Sequence, residues 1–340
     1  MKIFKIPLAT FLLTALLFSV WVLPAKAETS SVYLALGDSI STGYKLSGGH
    51  FKEENYANIL AKANGYRLKN CAVDGNTADG ILKQLQNKSL KNTLENAKII
   101  TVTCGGNDMV NALLDEAITA YNTLNTQNPL KRSELLKIFK NQQDERYRPL
   151  LLATGFVLSD FQKSERFQNT LTHFELTLTD IVKTIKTLNP NAVIFVATQY
   201  NPYGHFTGEY KEILCEPAKE CTVLLNDCIK KLSENSDFEV VDVYSAFLNN
   251  EALLCNASED PVQLDFHPSR EGHEVIAACF QKAIDKAVFP SGELKKASAS
   301  PKKAKRSDAA IYGALFAGFA AMSAVFILRI KIAKKAAEHN

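Results

Sequence analysis

The sequence predicts an α/β fold built on a mostly parallel sheet with helices on both faces. Two observations predict it. Short apolar runs rich in β-branched residues alternate along the chain with longer segments of helical periodicity. Three of these runs also end in small polar residues, as strands of a parallel sheet do where they meet a ligand crevice.

The elements follow in order. Residues 32–36 make the first strand, 66–73 the second, 99–104 the third, 192–197 the fourth and 238–243 the fifth. The clearest helix spans 166–188, where Phe167, Leu171, Phe174, Leu178, Ile181 and Ile185 fall on one stripe and Asn189-Pro190 stops the run. The last helix starts after Ser269, which suits an N-cap, and buries Val275, Ile276, Cys279 and Ile284. Residues 109–164 break the alternation. They carry helical patterns and apolar residues such as Tyr147, Leu150, Phe156 and Phe161 but no strand. Two accounts stay open for them: extra scaffold helices, or a cap over the active site.

Both ends address the chain to a membrane. Lys2 and Lys5 precede an apolar run over 8–22 and the Ala25-Lys26-Ala27 end of a secretory signal peptide, assigned to 1–27. Residues 309–328 carry no charge, and at about 1.5 Å per residue they span a bilayer core of about 30 Å. Arg329, Lys331, Lys334 and Lys335 then mark 329–340 as a cytoplasmic tail. These limits leave 28–290 as one exported domain, joined by a basic stalk at 291–308 to its membrane helix.

Composition excludes some functions. Lys+Arg 39 against Asp+Glu 36 gives a net charge of only +3, and no basic stripe points to nucleic acid. Seven cysteines in an exported chain allow disulfides and leave at least one thiol unpaired. Cys215 and Cys221 flank a short polar segment and form the expected bridge, while Cys104 and Cys279 read as buried free thiols. No C-x-x-C pair supports a zinc site. His273 reads as structural, and His50, His173 and His205 have no companions in the sequence that would promote them.

The chemistry lies in four polar segments. Gly37-Asp38-Ser39-Ile40-Ser41 follows the first strand, Asp74-Gly75-Asn76 the second and Gly105-Gly106-Asn107-Asp108 the third; Asp265-Phe266-His267-Pro268-Ser269 precedes the last helix. A nucleophilic hydrolase needs a hydroxyl, a base for its proton, a group that orients the base, and donors for an oxyanion. These segments can supply all four.

The same residues resemble the GDSL/SGNH hydrolases. Leu36-Gly37-Asp38-Ser39 with Gly43-Tyr44 looks like the first block of that family. Gly75, Gly105-x-Asn107-Asp108 and His267-Pro268 match the second, third and fifth blocks in order, and Asn201-Pro202-Tyr203 also looks familiar. The resemblance implies a flavodoxin-like three-layer sandwich with a central five-stranded sheet. It implies Ser39 as nucleophile, His267 as general base, and the N–H groups of Ser39 and Gly75 with the Asn107 amide as the oxyanion hole. No metal or organic cofactor is implied. The family commonly sets its aspartate three residues before the histidine, where this chain has Leu264; Asp265 takes the role here, or a main-chain carbonyl orients the imidazole instead.

The expected activity is ester hydrolysis outside the cell through an acyl-enzyme, on a small-molecule, lipid or glycan ester. The apolar segment 109–164 favours acyl chains. An acyltransferase would use the same residues with another acceptor, and a non-catalytic binding module would have lost Ser39, His267 or Asn107; none is lost.

Overall fold

The computed structural model of the chain describes residues 31–45, 48–139, 141, 143–204, 206, 208, 211–249, 254–255 and 267–288. The signal segment 1–27, Asp265, His205, the stalk 291–308, the apolar run 309–328 and the tail lie outside them. Among the described residues no helix is long and apolar enough to cross a membrane.

The chain alternates as the sequence predicts. Strand β1 (Val32–Leu36) leads through the single turn α1 (Ser39–Thr42) and helix α2 (Tyr56–Asn64) to β2 (Arg67–Asn70). Helices α3 (Ala78–Leu85) and α4 (Lys88–Asn96) precede β3 (Ala97–Val102). Then come α5 (Gly106–Leu124), the short α6 (Leu135–Phe139), α7 (Tyr147–Leu158) and the long α8 (Glu165–Leu188). Strand β4 (Val193–Ala197), α9 (Glu216–Ser233), β5 (Glu239–Val241), α10 (Val243–Leu248) and α11 (Arg270–Val288) complete the order.

All five strands pair in parallel, in the order β2-β1-β3-β4-β5. Buried on both faces, such strands need apolar residues at successive positions, and β1 is buried throughout. Alternate residues serve opposite layers. Leu34, Leu36, Ile100, Val102, Ile194 and Val196 pack under α3, α4, α5, α8 and α9. Tyr33, Ala35, Ile99, Phe195, Ala197 and Val241 pack against α2, α10 and α11. The result is a three-layer sandwich. Strand order reverses at β1, and in sheets of this kind ligands bind at such a reversal, here outside the carboxyl ends of β1 and β3.

Strand β2 is shorter than the 66–73 expected, because an edge strand has one partner and its Arg67-Leu68-Lys69-Asn70 is largely exposed. The chain nevertheless stays against β1. Cys71 N–H donates to Ala35 O at 2.8 Å and Val73 N–H to Gly37 O at 3.0 Å. That pairing carries the Gly75 loop to the Ser39 turn.

Residues 109–164 fold as helices that pack on the core and on one another. Met109 and Ala112 of α5, with Leu158 and Phe161, join the core under the sheet. Farther out, Tyr121, Leu130, Leu135, Ile138, Tyr147 and Leu150 close on one another in a separate small core. The apolar character of this segment is thus spent largely on its own packing.

The expected Cys215–Cys221 bridge is absent, and both are free thiols. A π-helical turn (Lys211–Cys215) runs straight into α9, so the segment between the two cysteines is helix rather than loop. Six residues of helix separate Cα atoms by about 9 Å along the axis, beyond the roughly 7 Å a disulfide tolerates.

Candidate active site

Three loops at the carboxyl ends of β1, β2 and β3 meet the N-terminal end of α11. The first is forced by sterics. Gly37 has φ +138°, and a Cβ there would lie 2.3 Å from Thr103 Oγ1 and 2.6 Å from Thr103 O. Asp38 then caps α1, its Oδ1 accepting from Ile40 N–H at 3.0 Å. Ser39 follows as the first helical residue, only 8 % exposed.

A chain of buried hydroxyls fixes this turn from behind. Thr103 Oγ1 donates to Asp38 Oδ1 at 2.8 Å, Ser41 Oγ lies 2.9 Å from Thr103 Oγ1, and Tyr56 OH lies 2.6 Å from Ser41 Oγ. Thr103 has one hydrogen, so the order runs from Tyr56 through Ser41 to Thr103 and ends on Asp38. Burial raises the Asp38 carboxyl to about 6, against the opposing pull of Thr103, Ile40 and nearby His267.

His267 reaches the turn from the far end of the sequence. Its Nε2 lies 2.9 Å from Ser39 Oγ. His267 is anchored on its C-terminal side. Ser269 caps α11, its Oγ accepting from Gly272 N–H at 3.2 Å. Ser269 N–H donates to Leu254 O at 2.9 Å, and Pro268 pairs with Cys255. A Cβ on Gly272 would stand 2.1 Å from Leu254 O, so only glycine lets that segment press on the helix start. The Tyr44 ring lies 4.9 Å from the imidazole, centroid to centroid.

The second and third loops are tied together. Gly75 takes φ +73°. The Asn107 amide donates to Asn76 O at 3.0 Å, which uses one of its two N–H bonds. Both Asp108 oxygens accept from Ala78 N–H, at 3.2 and 3.3 Å, so this acid holds the start of α3. Asn201 accepts from Tyr203 N–H and donates to Cys215 O, a role in folding its own turn. The structure therefore brings Ser39 and His267 into contact and links the loops of Gly75 and Asn107. Asp265 lies outside the described residues.

Sequence reasoning missed several partners. His50 does have one: its Nε2 lies 2.8 Å from Asp74 Oδ2, beside the Gly75 loop. His173 pairs with Asp79 at 2.9 Å, and that exposed pair adds little stability. Neither pairing leaves a local sequence signal, since the partners stand 24 and 94 positions apart.

His273 is fully buried and edge-on to Phe51, and among the described residues neither ring nitrogen has a hydrogen-bond partner. Burial, aided by nearby His267, lowers its pKa to about 3. The folded state refuses a proton that the unfolded chain accepts below about 6.5. Stability from this group is complete above that value and is lost as pH falls toward about 3. At pH 5 the loss is on the order of 2 kcal/mol. His273→Leu is expected to escape it, so its stability relative to wild type in urea melts should improve by about that amount between pH 7.5 and pH 5. An unchanged difference across that range would show that His273 does not titrate on unfolding.

Residues 35–275 match the model of the family described as GDSL-like Lipase/Acylhydrolase. The uncharacterized protein YpmR of Bacillus subtilis (strain 168) is 23% identical over 268 residues, covering 78% of this chain and 86% of its own length. Among solved structures, phospholipase A1 from Streptomyces albidoflavus aligns with a TM-score of 0.51 at 17% identity, over 74% of this chain and 99% of that one. An acetyl-xylooligosaccharide esterase from Geobacillus aligns at 0.45 and 17%, over 75% and 95%. The first of these structures shares the fold.

Proposed function

The chain belongs to the GDSL-like lipase/acylhydrolase family, and from that premise we propose that it is a serine ester hydrolase working through an acyl-enzyme. The observation that carries the reading is the 2.9 Å contact between Ser39 Oγ and His267 Nε2, placed where strand order reverses. Ser39 Oγ attacks the ester carbonyl carbon while His267 Nε2 takes the hydroxyl proton. The negative oxygen of the tetrahedral intermediate is held by the N–H groups of Ser39 and Gly75 and by the second N–H of the Asn107 amide. Collapse expels the alcohol, which receives the proton from His267. Water then attacks the acyl-enzyme by the same steps in reverse, releasing the acid and free Ser39. The residues supply nucleophile, base and oxyanion donors from the chain itself.

The apolar residues of 109–164 divide between the main core and a small core of their own, with Phe156 left exposed, so acyl-chain preference is a question for the substrate. A panel of esters varied in acyl length and in alcohol, run beside labelling with a fluorophosphonate probe, tests the reading. Turnover of some ester with one probe per chain is expected. No labelling and no turnover across lipid, short-acyl and acetylated-glycan esters would end it.

We also propose export and tethering through 309–328, on the charge and hydropathy pattern of the two ends. The last described helix ends at Val288. A chain ending at residue 306 is therefore expected to be released as an active, soluble domain. If that shortened chain stayed with membranes after a high-salt wash, the tether would lie elsewhere.

A further inference from the structure

We propose that Asp74 is a positioning residue that clasps the oxyanion loop to the nucleophile turn and to the strap over His267. The proposal rests on the catalytic reading above, since it concerns where the Gly75 N–H stands relative to Ser39.

The loop at Gly75 has little packing to hold it. Gly75 is exposed, and a Cβ built on it would meet nothing within 4 Å. Its position is therefore set by hydrogen bonds. On one side Val73 N–H donates to Gly37 O, and on the other Asn76 O accepts from Asn107. Between these ties, directly before Gly75, stands Asp74.

Its carboxylate engages two different segments. Oδ1 accepts from Thr42 Oγ1, the last residue of the turn that begins with Ser39. The same Thr42 hydroxyl lies 3.1 Å from Ser39 O. Oδ2 lies 2.8 Å from His50 Nε2, and since a carboxylate only accepts, the imidazole donates. His50 sits on the strap that doubles back after α1, bridged to Tyr44, with Phe51 N–H donating to Gly43 O at 2.7 Å. The Tyr44 ring contacts both imidazoles, 5.6 Å from His50 and 4.9 Å from His267. One carboxylate thus ties together the oxyanion loop, the nucleophile turn and the ring packed on the base.

Position matters more here than raw stability. Removing an oxyanion donor costs about 100- to 1000-fold in turnover, and a misplacement of about 1 Å can cost about 100-fold. Loss of the clasp leaves the donor present but loosely placed. Asp74→Ala is expected to lower kcat by about 10- to 100-fold with KM changed less than about threefold. Inhibition by a trifluoromethyl ketone, which forms the tetrahedral oxyanion, should weaken in step with kcat/KM. Asp74→Asn keeps an acceptor for Thr42 and presents an N–H₂ group to His50, which can accept it in the tautomer with its hydrogen on Nδ1, so it should stay within about fivefold of wild type. Thr42→Val removes one arm and should fall between the two.

The measurement is kcat per fluorophosphonate-titrated site in the full-length chain, with KM, ketone inhibition and melting temperature recorded together. Titration counts only folded, competent sites, so a purely structural loss would lower the number of sites and leave kcat per site unchanged. Wild-type kcat per site in Asp74→Ala would overturn the proposal, as would an Asp74→Asn variant as impaired as Asp74→Ala. If the wild-type protein itself took up no probe, the catalytic reading would fail first and the clasp with it.

Discussion

Ser39→Ala should abolish ester hydrolysis and fluorophosphonate labelling while the domain keeps its fold. The expected loss is at least about 10⁴-fold, since removing the serine of a serine protease cost roughly 10⁶-fold in kcat and left only what binding and the oxyanion hole supply. The fold should survive because the substitution deletes one hydroxyl from a helix-forming position. The turn around it is held by other groups: Asp38 on Ile40 N–H, Thr103 on Asp38, and Gly43 N–H on Ser39 O. Among the described residues, the contact that disappears is the one to His267 Nε2. Melting temperature should therefore move by a few degrees at most, and activity by orders of magnitude. Labelling of Ser39→Ala at the wild-type level would place the nucleophile elsewhere. Loss of labelling together with a collapsed melting transition would leave the role to be read from Ser39→Cys, whose thiol is expected to take up an iodoacetamide probe faster than Cys104, a buried thiol that burial holds well above its ordinary pKa.

Much of this site was legible in the chain because its parts are local. Strands buried on both faces must be apolar at successive positions, so β1, β3 and β4 stood out as continuous runs, and the polar turns after β1 and β3 marked the crevice. Strand β2 is shorter than its apolar run because it is an exposed edge with β1 as its partner, and past Asn70 the pairing continues through the bonds from Cys71 and Val73. The clasp was illegible for another reason. His50, Asp74 and Thr42 come from separate loops and meet only through the parallel pairing of β1 with β2. The buried hydroxyls were hidden likewise, since Thr103 and Asp38 are 65 positions apart. The disulfide was a misreading of a signal that was present. Pro217 lies in the first turn of α9, where proline favours a helix start, and the glutamates and lysine around it suit an exposed helix face. The apolar segment 109–164 shows the limit of composition, which counts greasy residues without saying which way they face.

Asp265→Asn is expected to lower turnover by at least about 100-fold with little change in KM. The base needs two anchors. Nε2 of His267 faces Ser39, and a carboxylate on the other ring nitrogen would fix the tautomer and stabilise the imidazolium formed when the serine proton arrives. In the serine protease template, converting that carboxylate to an amide cost about 10⁴-fold. Asp265 is the only acid within five residues before His267 in the sequence. A second acid does come close in space: Asp38, whose carboxyl feels the charge of His267. Asp38, however, is buried, and its Oδ1 accepts from both Thr103 and Ile40, so its geometry serves the turn. A carboxylate and a main-chain carbonyl as the orienting group make opposite forecasts. If Asp265 orients the base, Asp265→Asn loses at least about 100-fold while its melting temperature holds, because the amide is nearly isosteric. If a main-chain carbonyl does so, Asp265→Asn loses less than about tenfold and His267→Ala remains inactive. Steady-state kinetics on Asp265→Asn, Asp38→Asn and His267→Ala, each normalised to titrated sites where a site can be titrated, separates these cases. A near-wild-type rate in Asp265→Asn would remove Asp265 from the catalytic set and leave Ser39 and His267 as a dyad.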